Sequence, residues 1–172
     1  MKLSSLHSAI GFLAILPFIL ASCLKSEEEG PDFNAQLQKD IQAIDNYLAS
    51  NNIVAVEDIS GLRYVLHDDT TTHKPTIDSC VTANYRGLFL SSGVKFDEGA
   101  GVSFPLNGVI DGWKIGIPLL DEGDSATLYI PSGYGYGYYG YPPEIPSNAN
   151  LIFNVSVKKI GNSYKSSDRS CN

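Results

Sequence analysis

The chain has 172 residues, a length that suits one domain with additions. It is 43% hydrophobic and 18% charged, ordinary for a globular protein, and rich in glycine (16) and tyrosine (10). A formal net charge of −7, with 12 scattered Lys and Arg, excludes a nucleic-acid binder, because phosphate recognition needs clustered cations.

The first 22 residues read as a targeting segment. Lys2 supplies the positive end, and residues 10–20 form an apolar run that contains Pro17. A bilayer span needs about 20 apolar residues, so this shorter run fits the core of a signal peptide. Leu20-Ala21-Ser22-Cys23 follows. It resembles the bacterial lipobox, which implies cleavage before Cys23 and lipid attachment to it. The other reading is a plain secretory signal followed by a chance cysteine. Residues 24–32 are a polar tether. Its Glu27-Glu28-Glu29 run is either a solvated spacer or an acidic tract like those of some surface-exported lipoproteins.

Residues 33–49 read as one amphipathic helix. Asp32 is its candidate N-cap, and Phe33, Leu37, Ile41, Ile44 and Leu48 share one face. Asn51-Asn52 ends it. A lone helix of this length is marginal in water. Its apolar face must therefore pack on the rest of the chain or on a second copy. From residue 59 the pattern turns strand-like: strands are expected over 61–67, 80–90, 94–96, 102–106, 125–130 and 151–160, with Ser91-Ser92-Gly93 as a hairpin turn. In the last strand Leu151, Phe153, Val155 and Val157 fall on one face. A polar loop occupies 68–75, a short helix 109–117, a Gly/Tyr/Pro loop 134–146, and a disordered tail 161–172. Several strands with one short helix indicate an antiparallel α+β domain.

Cys80 and Cys171 either pair in an oxidising compartment or remain one half-buried and one exposed thiol; their spacing is not that of a metal site. His67 and His73 flank Asp68 and Asp69, but no fixed element gives them metal-ligand spacing, so neither a metal nor a cofactor is expected. Gly135-Tyr136-Gly137-Tyr138-Tyr139-Gly140 matches the G-x-G-x-x-G pattern of dinucleotide sites. That pattern needs a helix opening at its end to face the pyrophosphate. Pro142, Pro143 and Pro146 exclude one here.

Five further segments occur in an informative order. They are Asn84-Tyr85-Arg86-Gly87; Val94-Lys95-Phe96-Asp97; Phe104-Pro105-Leu106 with Val109-Ile110-Asp111-Gly112-Trp113; Leu128-Tyr129-Ile130-Pro131 with Tyr134-Gly135-Tyr136-Gly137; and Ile145-Pro146-Ser147-Asn148-Ala149-Asn150-Leu151-Ile152-Phe153. Together, over residues 61–160, they resemble the FKBP-type peptidyl-prolyl cis–trans isomerases. The resemblance implies a curved antiparallel sheet wrapping one short α-helix, preceded here by the N-terminal amphipathic helix. It implies a pocket between that helix and the sheet, with Trp113 as the floor under a substrate proline. Tyr85, Phe96, Val109, Ile110, Tyr141, Ile145 and Phe153 would form the walls, with Asp97 and Tyr136 at the rim and the Ile110 N–H as a donor. Such a pocket suits the reaction, because rotation about an Xaa–Pro bond breaks amide resonance but makes and cleaves no bond, so no nucleophile is needed.

The sequence departs from the family's pattern at three places. Val102 stands where an aromatic wall residue is usual, Glu144 where an apolar loop residue is common, and Lys114 where an acidic residue often follows the tryptophan. These bear on substrate preference more than on fold. The loop 134–141 carries five tyrosines, either as a rigid self-packed loop or as an aromatic patch that grips unfolded chains. The expected organisation is a signal peptide at 1–22, a tether and helix at 23–58, the isomerase domain at 59–161 and a polar tail at 162–172. The expected partners are proline-containing unfolded or partly folded polypeptides, and a bacterial envelope membrane, most naturally the outer one, reached through lipid on Cys23. A monomer is expected over a dimer.

Overall fold

The computed structural model describes residues 32–68 and 73–172. The signal segment, Cys23 and the acidic run at 27–29 lie outside the described residues, as does Asp69.

Helix α1 spans Phe33–Ser50. Asp32 caps it: its Oδ1 accepts the backbone N–H of Asn34 at 2.9 Å and of Ala35 at 3.1 Å, satisfying donors that the first turn leaves open. Asn51 closes the helix, and Asn52 follows with φ of 54°, the left-handed region that asparagine tolerates. The apolar face packs on this same chain: Ile44 and Leu48 are buried against Leu90, Tyr129 and Ile152 of the sheet. Ile41 presses on Gly61, where a Cβ would come within 2.6 Å of its side chain and where φ is +93°, so both space and backbone require glycine.

The sheet has six strands: β1 (Val56–Glu57), β2 (Arg63–Leu66), β3 (Cys80–Phe89), β4 (Lys95–Pro105), β5 (Ser125–Ile130) and β6 (Leu151–Gly161). Their order is β1-β2-β5-β6-β3-β4, and every pairing is antiparallel. Strand β1 falls within the 23–58 segment read as tether and helix, where no strand is expected, and pairs with β2 through Val56↔Tyr64 and Glu57↔Arg63. Strand β4 corrects a second expectation. The sequence suggests two separate short strands at 94–96 and 102–106. The structure has one strand through Gly99 and Gly101, held by β3 across a bulge between Ala83 and Tyr85. The side-chain oxygen of Asn84 accepts the Gly101 N–H at 2.7 Å and secures this irregular stretch.

Helix α2 (Asp111–Gly116) lies on one face of the sheet, and a 3₁₀ turn at Ile117–Leu119 follows it. Val109 and Ile110, read as helical from sequence, precede it instead, with Ile110 in the N-cap position at ψ 150°. The helix sits close to β5, because a Cβ on Gly112 would come within 2.4 Å of the Ile130 side chain. The core fills the space between: Leu62, Val81, Leu106, Ile117, Leu120, Leu128 and Ile130 are buried, and so are Leu151, Phe153, Val155 and Val157 along the row read from alternation. The sheet is therefore covered by α2 on one face and partly by α1 on the other.

Residues 162–172 are not a disordered tail. Strands β7 (Tyr164–Lys165) and β8 (Ser170–Cys171) form a hairpin, and Cys171 is bonded to Cys80 at the start of β3. Of the two cysteine readings, the disulfide is the one realised.

Candidate functional site

Between α2 and the curved sheet opens a cleft of about 320 Å³. Tyr85 comes from the middle of β3, Asp97, Val102 and Phe104 from β4, Val109 and Ile110 from the α2 entry, Trp113 from α2, and Phe153 from β6. Tyr136 reaches in from the tyrosine loop. A smaller recess of about 270 Å³ adjoins it and shares Asp97 and Tyr136; Phe96, Tyr141, Glu144 and Ile145 complete it. The structure thus gathers Tyr85, Phe96, Asp97, Val109, Ile110, Trp113, Tyr136, Tyr141, Ile145 and Phe153 around one opening.

Trp113 lines the cleft and is 6% exposed. Tyr85 and Phe153 meet it edge to face at 5.1 and 5.2 Å between centroids, and Phe104 lies at 5.0 Å. Phe96 packs edge-on against Phe153 at 5.5 Å. Such offset and T-shaped packing suits aromatic quadrupoles and fixes ring orientation. The close approach has a backbone reason too: a Cβ on Gly87 would sit 2.7 Å from Phe96 and 2.8 Å from Phe153. The Trp113 Nε1–H is buried with no hydrogen-bond partner among the described residues.

The polar rim is small. The Tyr85 Oη–H donates to Asp97 Oδ2 at 2.9 Å, and the Glu98 N–H donates to Asp97 Oδ1 at 2.8 Å. Burial, followed by the hydrogen bond to Asp97 and its charge, pushes the Tyr85 phenol up to about 12. Burial, then the Asp97 charge and the neighbouring Tyr141, also raises Tyr136. A phenol whose folded value lies above its unfolded one stabilises the fold fully below pH ~10, and that contribution is lost as pH climbs toward ~12. Urea denaturation from pH 9 to 12 should therefore show a loss of stability in the wild type that is smaller, over the same window, in Tyr85→Phe, where the raised phenols of Tyr136 and Tyr129 still titrate. Identical pH profiles for the two proteins would contradict a neutral, bonded Tyr85.

Two lining residues escaped the sequence reading as site residues. Phe104 was seen only as part of a motif, and Gly108 not at all. The two-residue spacing of Val102 and Phe104 in β4 puts both on the cleft face, a signal available from alternation. Val102, one of the three departures, does line the cleft and is 38% exposed. Lys114 pairs with Asp111 at 2.9 Å instead of facing the cleft. Among the described residues no three His, Cys, Asp or Glu side chains converge as a metal would require. The residues of the G-x-G-x-x-G match run through turns and open no helix.

The tyrosine loop is fixed in its backbone and exposed in its side chains. Its backbone is pinned, with the Gly137 carbonyl accepting the Asn148 N–H at 2.9 Å and Tyr141 and Ile145 exchanging two bonds at 2.8 Å. Its side chains at Tyr138, Tyr139 and Tyr141 are exposed.

Residues 71–158 match the family model for the FKBP-type peptidyl-prolyl cis-trans isomerase. A probable FKBP-type isomerase, FkpA, of Neisseria meningitidis is 42% identical over 106 residues, which are 59% of this chain and 39% of that protein. FkpA of Aeromonas hydrophila is 36% identical over 124 residues, 67% of this chain and 45% of that protein. The chain thus spans less than half the length of these two relatives. In fold it is similar to a peptidyl-prolyl cis-trans isomerase from Pseudomonas syringae, with a TM-score of 0.65 at 23% identity over 77% of this chain and 98% of that one. The matched segment carries α2, both walls of the cleft and its rim, and with it the chain belongs to the family of FKBP-type peptidyl-prolyl cis–trans isomerases.

Proposed function

We propose that this protein accelerates cis–trans rotation of Xaa–Pro bonds in unfolded or partly folded polypeptides outside the bacterial cytoplasm. The observation that carries this is Trp113 in the cleft, met edge-on by Tyr85 and Phe153 and at a tilt by Phe104, with Tyr85, Asp97 and Tyr136 supplying the polar groups of the lining. Rotation faces a barrier of roughly 20 kcal/mol, set by amide resonance. The twisted imide has less charge separation than the planar one. An apolar cavity that excludes water therefore favours it over the ground state, which is the differential binding that catalysis requires. The proline ring would sit on Trp113 between Phe96 and Phe153. The Ile110 N–H and the Tyr136 hydroxyl would hold the flanking carbonyls, and Asp97, held by Tyr85, would face the rotating group.

Lipid attachment at Cys23, an outer-membrane location and a monomeric state belong to the same reading. The Cys80–Cys171 bond supports an oxidising compartment, and α1 uses its apolar face within its own chain.

The test is an isomerisation assay on several Xaa–Pro peptides. Asp97→Ala and Tyr136→Phe are each expected to lower kcat/KM by about three- to thirtyfold, the range of one or two lost polar contacts. A folded wild type with no activity would sink the reading. The exposed Tyr138, Tyr139 and Tyr141 favour a second function on the same fold, a binding module for unfolded chains. Peptide binding without rate enhancement would select it.

A further inference from the structure

Helix α1 lies wholly before the segment that matches the family, yet one of its side chains is buried against the loop that builds the cleft. Asp40 is 2% exposed. Its Oδ2 accepts the Ser132 N–H at 2.9 Å and the Ser132 Oγ–H at 2.6 Å, and its Oδ1 accepts the Gln36 side-chain amide at 2.8 Å. Ser132 is itself fully buried, and its N–H is shared with the side-chain oxygen of Asn150 at 2.9 Å. The Ser132 carbonyl in turn accepts the N–H of Gly135 at 2.9 Å and of Gly137 at 2.8 Å. Tyr136, which lines the cleft, is the residue between those two glycines. Phe33 seals the same junction: its ring meets Tyr134 edge-on at 5.8 Å and lies where a Cβ on Gly133 would come within 2.5 Å.

A carboxylate taken out of water destabilises the fold unless its oxygens are bonded. Here both are. An apolar contact could have docked α1 at that point, and it would have tolerated sliding. Charge-assisted hydrogen bonds fix distance and direction. The arrangement therefore acts on the geometry of the Ser132–Gly137 turn as well as on stability.

We propose that Asp40 is a positioning residue of the isomerase site. Through Ser132 it holds the turn that places Tyr136 in the cleft, so α1 forms part of the isomerase unit. The proposal rests on the isomerase reading and adds to it an element outside the matched family segment.

The test measures amide hydrogen exchange and kcat/KM in the same variants, at a temperature where all are folded. Asp40→Ala should speed exchange at Gly135 and Gly137 by about tenfold or more. It should lower kcat/KM by about five- to tenfold. Asp40→Asn keeps an acceptor for Ser132 and should recover most of both. Leu48→Ala loosens the other end of α1, on Leu90, Tyr129 and Ile152. It should lower Tm yet leave the glycine exchange and kcat/KM at wild-type values. In a Tyr136→Ala background, Asp40→Ala should produce no further fall in kcat/KM, since residues acting through one another are non-additive. Unchanged exchange at Gly135 and Gly137, equal acceleration in Leu48→Ala, or additive losses with Tyr136→Ala would each overturn the proposal while leaving an active isomerase. A wild type without isomerase activity overturns the isomerase reading itself and takes the catalytic half of this proposal with it.

Discussion

Replacing Trp113 with leucine should lower kcat/KM on Xaa–Pro peptides by about ten- to a hundredfold, or ~1.4–2.8 kcal/mol of transition-state stabilisation. Three aromatic neighbours, Tyr85, Phe104 and Phe153, set the indole in place at 5.0 to 5.2 Å. Leucine fills part of that volume but leaves a step in the floor, and water entering there removes the preference for the less polar, twisted imide. Alanine is the wrong substitution for this test. Truncating a buried tryptophan to alanine costs about 3–5 kcal/mol, a large part of the ~5–15 kcal/mol that holds a domain of this kind together. Phenylalanine separates two contributions. It loses volume, but it also removes the Nε1–H, which is buried with no partner among the described residues. An unmet donor costs about 1–3 kcal/mol, so Trp113→Phe should destabilise less than its lost volume implies. Circular dichroism establishes the folded fraction, and peptide isomerisation then reads kcat/KM. Trp113 is the one tryptophan of the chain, so its emission in the wild type also reports peptide binding directly. Full activity in a folded Trp113→Leu protein would show that the indole is not the floor of the reaction.

The parts of this fold that were legible in sequence are those with a strong local period or an ordered set of motifs. The five-residue stripe of α1 and the alternation of Leu151, Phe153, Val155 and Val157 each dictate an inward-facing row. A further signal was present but unread. Ile152 interrupts that alternation, and Tyr129 sits beside Leu128 and Ile130, so both faces of β5 and β6 are apolar near their paired ends. A strand apolar on both sides is covered on both sides. The second cover is α1, which resolves the choice between packing on the domain and packing on a second copy.

What could not be read depends on partners distant in the chain. The stretch Gly99-Ala100-Gly101 has poor strand propensity and reads as a loop; β3 imposes the strand on it. Nothing local marks Asp40 for burial, because its partner Ser132 is 92 positions away. The aromatic site residues were found through their order along the chain. Their pairing was not: nothing local reveals that the Tyr85 hydroxyl is spent on Asp97. The Ser- and Asn-rich end of the chain has the composition of a loop, and only its cysteine carries the information that it is tied down.

That tie should have the largest effect on stability of any single feature. Cys80 and Cys171 are 91 positions apart, so their bond closes a loop that holds β3 to β8. Restricting the unfolded chain over such a loop is worth roughly 4–5 kcal/mol in the chain-entropy account. In the folded state the bond also holds a hairpin of two two-residue strands, too short to persist on their own. Reduction should therefore act twice. It should lower Tm by roughly 10–20 °C. It should also free the hairpin locally, loosening the backbone around the already exposed Lys165 and Arg169 so that trypsin cuts there well below that temperature. A Cys80→Ala/Cys171→Ala double variant should match the reduced wild type in both respects and show no further response to reductant. Scanning calorimetry with and without dithiothreitol, alongside timed proteolysis, reads both effects. A Tm indifferent to reductant, with the bond confirmed by mass spectrometry, would mean that the hairpin is held across the ends of β3 and β6 by packing. Lys159 donating to the Cys171 carbonyl at 3.2 Å and the Asn162 N–H donating to the Asn172 carbonyl at 2.7 Å would then carry the attachment.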